Sequence, residues 1–200
     1  MSGIGVGTVW ISGLSASGKS TLASGLCERL LRIQAADPLL IDGEYMRARL
    51  DDRYGHSLTD RESVLRHLVD EAARVTADRR LAVVATISHT RDMRSFARQH
   101  LVPFMEVYLD CPAQVCAARD RKGHYARAAR GEYDCFIGVT HPYEPWAGET
   151  RPELVLDTQA QEPDQSLAIL VDAVLARFAH AHPTPAAPAT TRLPGAPVTR

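Results

Sequence analysis

A glycine-rich stretch near the N-terminus has the residue types and the spacing needed to hold a chain of phosphates. Residues 13–20 read Gly-Leu-Ser-Ala-Ser-Gly-Lys-Ser and match the pattern G-x-x-x-x-G-K-[ST] at every fixed position. Such a loop points backbone N–H groups at phosphate oxygens, and the helix that follows adds partial positive charge. Lys19 is expected to reach the β- and γ-phosphates, and the Ser20 hydroxyl to ligate Mg²⁺. The predicted Mg-ATP site contains Gly13, Ser15, Ala16, Ser17, Gly18, Lys19, Ser20 and Thr21.

The use of lysine singles out two positions. Lys19 and Lys122 are the only lysines among 23 lysine and arginine residues, so arginine serves wherever a surface cation is enough. The two lysines therefore mark places where a compact ammonium is preferred to a planar guanidinium. At Lys122 this charge would neutralise the negative charge that spreads over a phosphoryl group during its transfer.

Strand-like and helix-like patterns alternate along the chain. Short apolar runs predict strands at 8–12, 38–41, 81–87, 104–109 and 153–156. Apolar residues at helical spacing predict helices from 19 to about 34, from 59 to about 79, at 91–100, at 113–119 and from 164 to about 179. Thr59 and Glu62 form a capping box for the second helix. Repeated strand–helix units indicate the α/β class, a three-layer α/β/α P-loop NTPase fold with about five parallel strands.

Three stretches define the organisation of the 200 residues. Residues 1–182 fit a single folded domain. Within it, residues 120–152 are rich in Arg, Gly, Tyr and Pro and are too long for an ordinary connection, which predicts a functional lid. Residues 183–200 are rich in Pro, Ala and Thr without periodicity, which predicts a disordered tail.

Composition excludes several classes of partner. The formal net charge is −1, and no apolar run approaches the roughly 20 residues of a membrane span, so neither nucleic acid nor a membrane is expected. The cysteines form no C-x-x-C pair, and we interpret them as reduced, mostly buried thiols of a cytoplasmic protein. They are Cys27, Cys111, Cys116 and Cys135.

The phosphate loop by itself is compatible with kinases, GTPases and ATPase motors. The sequence has no N-K-x-D element, which would indicate guanine specificity. Its size and the arginine-rich segment at 120–152 favour a small-molecule kinase of the nucleoside-monophosphate-kinase type. The domain at 1–182 is therefore expected to be a kinase domain.

Six further segments carry chemistry beyond the phosphate loop. They read Asp-Gly-Glu-x-x-Arg at 42–47, Asp-Arg at 60–61, Ile-Ser at 87–88, Arg-Asp-Arg-Lys-Gly-His-Tyr at 119–125, Phe-Ile-Gly at 136–138 and Pro-Tyr-Glu-Pro at 142–145. In order and spacing they resemble the adenylylsulfate (APS) kinase family, over about residues 8–158. The resemblance implies transfer of the γ-phosphate of Mg-ATP to the 3′-hydroxyl of APS, by positioning and charge stabilisation. It also implies that Arg119 lies over the base or the phosphates of ATP.

Two carboxylates follow the second predicted strand, at the edge of the sheet that faces the phosphates. A carboxylate there can hold Mg²⁺ or orient the attacking hydroxyl. We assign Asp42 to the metal, together with Ser20, and both Asp42 and Glu44 are candidates for orienting the hydroxyl. In the resembling family the motif is Asp-Gly-Asp, and its second Asp, the candidate base, corresponds to Glu44. The predicted catalytic residues are Lys19, Asp42, Glu44 and Lys122.

The resemblance also assigns the residues that bind the acceptor. Arg47 and Arg61 would clamp its anionic groups. Ser88, at the end of the third predicted strand, matches a serine of the family's acceptor site, and Phe136 matches the aromatic residue that sandwiches the adenine. The predicted acceptor set is Arg47, His56, Arg61, Val64, Ile87, Ser88, Lys122 and Phe136.

Several departures from the family pattern lie on the acceptor side. His56 stands where the family has a Phe that stacks on the adenine, and Val64 stands where it has an Asn. His89 replaces a Pro, and we interpret it as a polar residue of the loop surface rather than as a base. Ala129 and Ile137 replace an Arg and a Thr. A changed acceptor would produce this pattern, and so would drift in a true APS kinase.

Three functions therefore stay open for the chain. The first is phosphorylation of APS, giving 3′-phospho-APS. The second is phosphorylation of another hydroxyl, on a nucleoside, sugar or amino alcohol, in specialised metabolism or self-resistance. The third is a regulatory nucleotide-binding module without catalysis, against which the retained phosphate-loop and lid lysines argue. A homodimer is an open alternative, since nothing in the sequence sets the number of subunits.

Overall fold

Five short apolar stretches pair in parallel to form one central sheet. The structure, a computed structural model, describes residues 4–50, 53–146 and 151–179. The strands are β1 Gly7–Ser12, β2 Pro38–Asp42, β3 Leu81–Ala85, β4 Phe104–Asp110 and β5 Leu154–Asp157. Their order in the sheet is β2-β3-β1-β4-β5.

Helices cover both faces of this sheet, because successive side chains of a strand point to opposite faces. The helices are α1 Lys19–Arg32, α2 Gly43–Arg49, α3 Leu58–Ala77, α4 Arg91–His100, α5 Ala113–Arg119, α6 His124–Ala129 and α7 Pro163–Arg177. On one face, Val9 and Ile11 of β1 pack with the apolar sides of α1 and α7; on the other, Trp10 packs with α3 and α4. The predicted three-layer α/β/α fold is thereby confirmed.

The start of α3 differs from the prediction. Ser57 caps this helix: its hydroxyl accepts a hydrogen bond from the Asp60 backbone N–H at 3.1 Å and donates to Asp60 Oδ2 at 2.6 Å. The predicted capping box of Thr59 and Glu62 is therefore wrong. Ser57 supplies the capping side chain two residues earlier, and the helix begins at Leu58.

The third strand is shorter than predicted. It ends at Ala85, and the last sheet-like bond beyond it runs from the Thr86 N–H to the Ile11 carbonyl at 3.0 Å. Ser88 then has a φ of 44°, which turns the chain out of the strand direction. The prediction that Ser88 ends this strand is therefore wrong. Ser88 lies in the loop, three residues beyond the end of β3.

Two short helices, α2 and α6, had no counterpart among the predicted elements. Helix α2 follows β2 directly because the Asp42 carboxylate accepts hydrogen bonds from the N–H groups of Glu44 and Tyr45. Helix α6 lies inside the segment predicted to be a lid, 120–152. Residues 147–150 of that segment and the predicted tail at 183–200 lie outside the described residues.

Two other expectations concern the surroundings of the protein. Among the cysteines, Cys111, Cys116 and Cys135 are buried and Cys27 is partly buried, so the prediction of mostly buried thiols is confirmed. None of the helices within the described ranges is long and apolar enough to cross a membrane.

Candidate active site

The phosphate loop joins β1 to α1 through backbone conformations that favour glycine. Gly13 has a φ of 149°, and a Cβ atom there would lie 2.9 Å from Ser17 Oγ and 3.0 Å from the Leu109 carbonyl oxygen. Gly18, just before α1, has a φ of 102°. Any other residue would be strained at both places, so the two fixed glycines of the motif have a structural cause.

Lys19 begins α1 and turns back across the loop. Its Nζ donates a hydrogen bond to the Leu14 carbonyl at 2.6 Å. Burial lowers the pKa of Lys19 to about 8, although the carboxylates of Asp42 and Glu44 act in the opposite direction. The ammonium is thus held within the loop at a desolvated position, where phosphate oxygens would compensate the loss of water.

Asp42 connects the end of β2 to the phosphate loop. Its Oδ2 accepts a hydrogen bond from the Ser20 hydroxyl at 2.6 Å, while its Oδ1 accepts from the backbone N–H groups of Glu44 at 2.8 Å and Tyr45 at 3.3 Å. One carboxylate therefore caps α2 and fixes the Ser20 side chain. Two hard oxygen ligands lie together at the mouth of the loop as a result.

Lys122 reaches the same region from the other side. Its Nζ forms an ion pair with Glu44 Oε1 at 2.5 Å, and both side chains are exposed. Asp120 shapes the turn before it, since its carboxylate accepts from the N–H groups of Lys122 at 3.1 Å and Tyr125 at 2.8 Å. The two lysines of the chain thus converge on the carboxylates that follow β2.

The segment that carries Lys122 is attached to the phosphate loop. The Tyr125 hydroxyl donates to the Ser15 carbonyl at 3.1 Å. Ile137, which replaces a Thr of the family, is 1% exposed and packs with Leu14 and Tyr125 in a small core. The segment predicted to be a lid is therefore linked to the phosphate loop through side chains that pack directly on that loop.

Almost every residue predicted from the sequence lines one cavity of about 1020 Å³. Gly13, the first residue of the loop, lies outside its lining. Asp120, His89 and Tyr133, which were not predicted as site residues, also line it. The predicted residues in the lining are Ser15, Ala16, Ser17, Gly18, Lys19, Ser20, Thr21, Asp42, Glu44, Arg47, His56, Arg61, Val64, Ile87, Ser88, Arg119, Lys122 and Phe136.

The two arginines at the acceptor end also hold the walls of the cavity. Arg47 donates to the carbonyls of Tyr54, at 3.2 Å, and Gly55. Arg61 donates to the His56 carbonyl at 3.1 Å and, across the cavity, to the Cys135 carbonyl at 3.3 Å. Each guanidinium has five N–H donors, so both retain donors for a ligand after these bonds are made.

An aromatic cluster lies where Phe136 and His56 were expected to contact the two faces of the acceptor adenine. Tyr133 contacts both rings. It stacks on Phe136, with 5.7 Å between the ring centroids, and meets His56 edge-on, with 6.2 Å between the centroids. Its hydroxyl is 2.8 Å from His124 Nδ1, and Arg127 lies over its ring at 4.8 Å. Tyr133 could have been noticed only as an aromatic residue three positions before Phe136.

Buried side chains close the floor of the acceptor end. Val64 is 3% exposed and packs in the core beneath α3. The Ser88 hydroxyl accepts a hydrogen bond from Trp10 Nε1 at 3.1 Å. His89 is only 4% exposed, so its interpretation as a polar residue of the loop surface is wrong.

The first strand of the parallel sheet leads into a phosphate loop, two carboxylates lie at the end of β2, and a lysine reaches them from the other side. These features define the class of P-loop phosphotransferases. Comparisons with known proteins specify the family. The family model for adenylylsulphate kinase matches residues 5–157. An adenylyl-sulfate kinase of Shewanella denitrificans is 42% identical over 172 residues, which are 84% of this chain and 79% of that protein. One of a Synechococcus species is 34% identical over 170 residues, 85% of this chain and 95% of that protein.

Solved structures agree with these matches. The APS kinase CysC of Mycobacterium tuberculosis, solved in complex with AMPPNP and APS, has a TM-score of 0.78 and 32% identity, over 86% of this chain and 98% of that one. The chain belongs to the adenylylsulphate kinase family. It is therefore an ATP-dependent phosphotransferase with a hydroxyl acceptor.

Proposed function

We propose that the protein transfers the γ-phosphate of Mg-ATP to the 3′-hydroxyl of adenylylsulfate, releasing ADP and 3′-phosphoadenylylsulfate. One observation carries the proposal: a single cavity contains the phosphate-loop lysine at one end and the arginines and aromatic rings of the acceptor set at the other. The relative from M. tuberculosis was solved with an ATP analogue and APS together. A donor and a nucleotide-like acceptor can therefore meet within one enclosure.

The donor end supplies charge and orientation. Lys19 would leave the Leu14 carbonyl and bind the β- and γ-phosphates, and Arg119 would lie along the nucleotide. Ser20 and Asp42 would hold Mg²⁺, which prefers oxygen ligands and usually takes only one or two from the protein. Their hydroxyl and carboxylate oxygens, 2.6 Å apart, fit that preference. The bound ion would neutralise charge on the phosphates.

The acceptor hydroxyl needs a carboxylate to receive its proton. Both oxygens of Asp42 already accept hydrogen bonds, whereas Glu44 is exposed and has one oxygen outside its pair with Lys122. We therefore assign Glu44 as the orienting base. The hydroxyl oxygen bonds to the γ-phosphorus while the bond to the β,γ-bridging oxygen breaks, and the hydroxyl proton passes to Glu44. Lys122 would then stabilise the charge on the transferred group.

The acceptor would lie against Arg47, Arg61, Ile87 and Ser88, with its purine beside Phe136 and Tyr133. The Tyr133 ring adds aromatic surface at the position where His56 alone offers a small, polar ring. Residues 120–146, which carry Lys122 and both of these aromatic side chains, would act as the lid.

One observation favours the alternative acceptor. Val64, which lines the cavity, cannot make the hydrogen bond that an Asn would make there. A polar edge of a bound adenine that is buried without a hydrogen-bond partner costs about 1–3 kcal/mol. A nucleoside, sugar or amino alcohol without that edge would not suffer this loss. The alternative is phosphorylation of such a hydroxyl by the same donor machinery.

The decisive experiment is ADP release with APS beside a panel of nucleosides, nucleotides, sugars and amino alcohols. Turnover of APS with a kcat/KM of about 10⁴ M⁻¹s⁻¹ or more, with 3′-phosphoadenylylsulfate as product, supports the proposal. A different acceptor used at least tenfold better would overturn it in favour of the alternative. Lys19→Ala should abolish turnover of every acceptor, and Arg32→Ala, an exposed cation on the same helix, should leave it unchanged.

A further inference from the structure

His89 has an unusual environment for a histidine in a loop. It lies between β3 and α4, is only 4% exposed and lines the acceptor end of the cavity. The His124 ring, in contrast, is bonded to the Tyr133 hydroxyl at 2.8 Å. Within residues 4–50, 53–146 and 151–179, no side-chain hydrogen bond involves the His89 ring, and its nitrogens are not among the fully enclosed polar atoms that lack a partner. Because the residue lines the cavity, an unpaired ring nitrogen there is available to a ligand.

The backbone around His89 is held on several sides. The preceding Ser88 carbonyl accepts from Arg94 at 3.0 Å, and the Ser88 hydroxyl accepts from Trp10 at 3.1 Å. The His89 carbonyl itself accepts from the Glu144 N–H at 2.8 Å. These hydrogen bonds hold the backbone of His89 in place at the cavity. A binding group needs such a fixed position.

The charges around His89 keep its ring neutral. Burial lowers the pKa of His89 to about 4, and the positive charges of Arg61 and Arg94 contribute in the same direction, against Glu144. At neutral pH the ring therefore has one N–H donor and one acceptor nitrogen. A group so weakly basic is poorly matched to proton abstraction, which leaves hydrogen bonding as its chemistry.

We propose that His89 is an acceptor-binding residue, whose ring N–H donates a hydrogen bond to an anionic oxygen of the acceptor beside Arg61. The proposal rests on the proposed function, which assigns an anionic nucleotide to this end of the cavity. The Pro of the resembling family could not donate from its side chain. The contact is thus one that a Pro at this position could not make, and it compensates in part for the polar partner missing at Val64.

The test compares His89→Leu with His89→Gln, which keeps a neutral donor and acceptor. With each substrate varied while the other is saturating, His89→Leu should raise the KM for APS about tenfold, as expected for one lost hydrogen bond to a charged group, with kcat and the KM for ATP within about twofold. His89→Gln should stay within about threefold of wild type. His100→Leu, at the far end of α4, serves as the matched control and should change none of these constants.

Two readouts separate binding from a structural role. Three outcomes would overturn the proposal. In the first, His89→Leu leaves the KM for APS unchanged; in the second, it lowers kcat and raises the KM for APS and for ATP alike. In the third, the KM of His89→Gln for APS is no lower than that of His89→Leu. In the wild-type enzyme, the ring ¹⁵N–¹H signal assigned to His89 should shift on addition of APS, and its constancy would contradict the contact even if a variant failed to fold. A wild-type enzyme inactive with APS would overturn the proposed function instead, and the KM comparison would then use the acceptor that releases ADP.

Discussion

Raising the pH should weaken ATP binding through a single group, Lys19. The pKa of this lysine in the ligand-free protein is about 8, lowered by burial. Phosphates bound to it would raise that pKa again, because they stabilise the charged form. Above pH 8 the free protein has lost the proton that the complex needs, so binding must take up a proton and the apparent Kd rises.

The size of the effect follows from the pKa. The Kd for ATP should rise roughly eightfold between pH 7.5 and pH 9, approaching tenfold per pH unit beyond, and about half a proton should be taken up per ATP at pH 8. Two groups near the loop stay protonated over this range: burial raises the pKa of Cys116 to about 12, and burial also raises the pKa of Tyr125 above its usual value.

The measurement is isothermal titration calorimetry with ADP-Mg or ATP-Mg in buffers of different ionisation enthalpy, which gives both Kd and the number of protons taken up. Lys19→Arg is the control, because a guanidinium stays charged over the whole range and should remove the pH dependence whatever its own affinity. A wild-type Kd that changes less than twofold from pH 7.5 to pH 9, with no proton uptake, would refute the reasoning.

Three further predictions concern stability, the lid and the acceptor. Asp42→Ala should abolish activity and lower the free energy of unfolding, measured with denaturant, by about 1 kcal/mol, because the cap of α2 is removed. Asp42→Asn should also lose activity but keep most of that stability. Equal losses of stability in the two variants would contradict the double role of Asp42. Amide exchange of residues 120–146 should slow when ADP-Mg and APS bind, and full protection of the free protein would argue for a static loop. If APS turns over poorly, His56→Phe combined with Val64→Asn should improve its kcat/KM, and no gain would mean that the pocket differs beyond these positions.

The phosphate-binding half of the site could be predicted from the sequence because its determinants are local. The eight residues of the loop are contiguous, and their glycines, their lysine and the strand before them all indicate the same structure. The five strands were predictable for a similar reason, since runs such as the one in β3 are apolar on both faces of a covered sheet. Their boundaries were less certain, as the loop position of Ser88 shows.

The acceptor half could not be predicted to the same depth because its contacts join distant segments. Nothing in the spacing shows that Arg61 donates to the Cys135 carbonyl, 74 positions away, or that Tyr133 lies between His56 and Phe136. The environment of His89 depends on Glu144 and Arg94, which reach it only after the chain has folded. A loop histidine is ordinarily exposed, so its burial could not be inferred from the residue type.

The ion pair between Lys122 and Glu44 has a consequence for the order of events in a catalytic cycle. Both side chains are exposed, and exposed pairs contribute only about 0–1 kcal/mol, so the pair is easily exchanged for a better partner. The triphosphate is such a partner for Lys122, and its arrival would free Glu44 for the acceptor hydroxyl. An acceptor that arrived first would find one oxygen of this carboxylate, Oε1, still paired with Lys122. Steady-state kinetics should therefore be sequential with a preference for nucleotide first, and ADP should leave last.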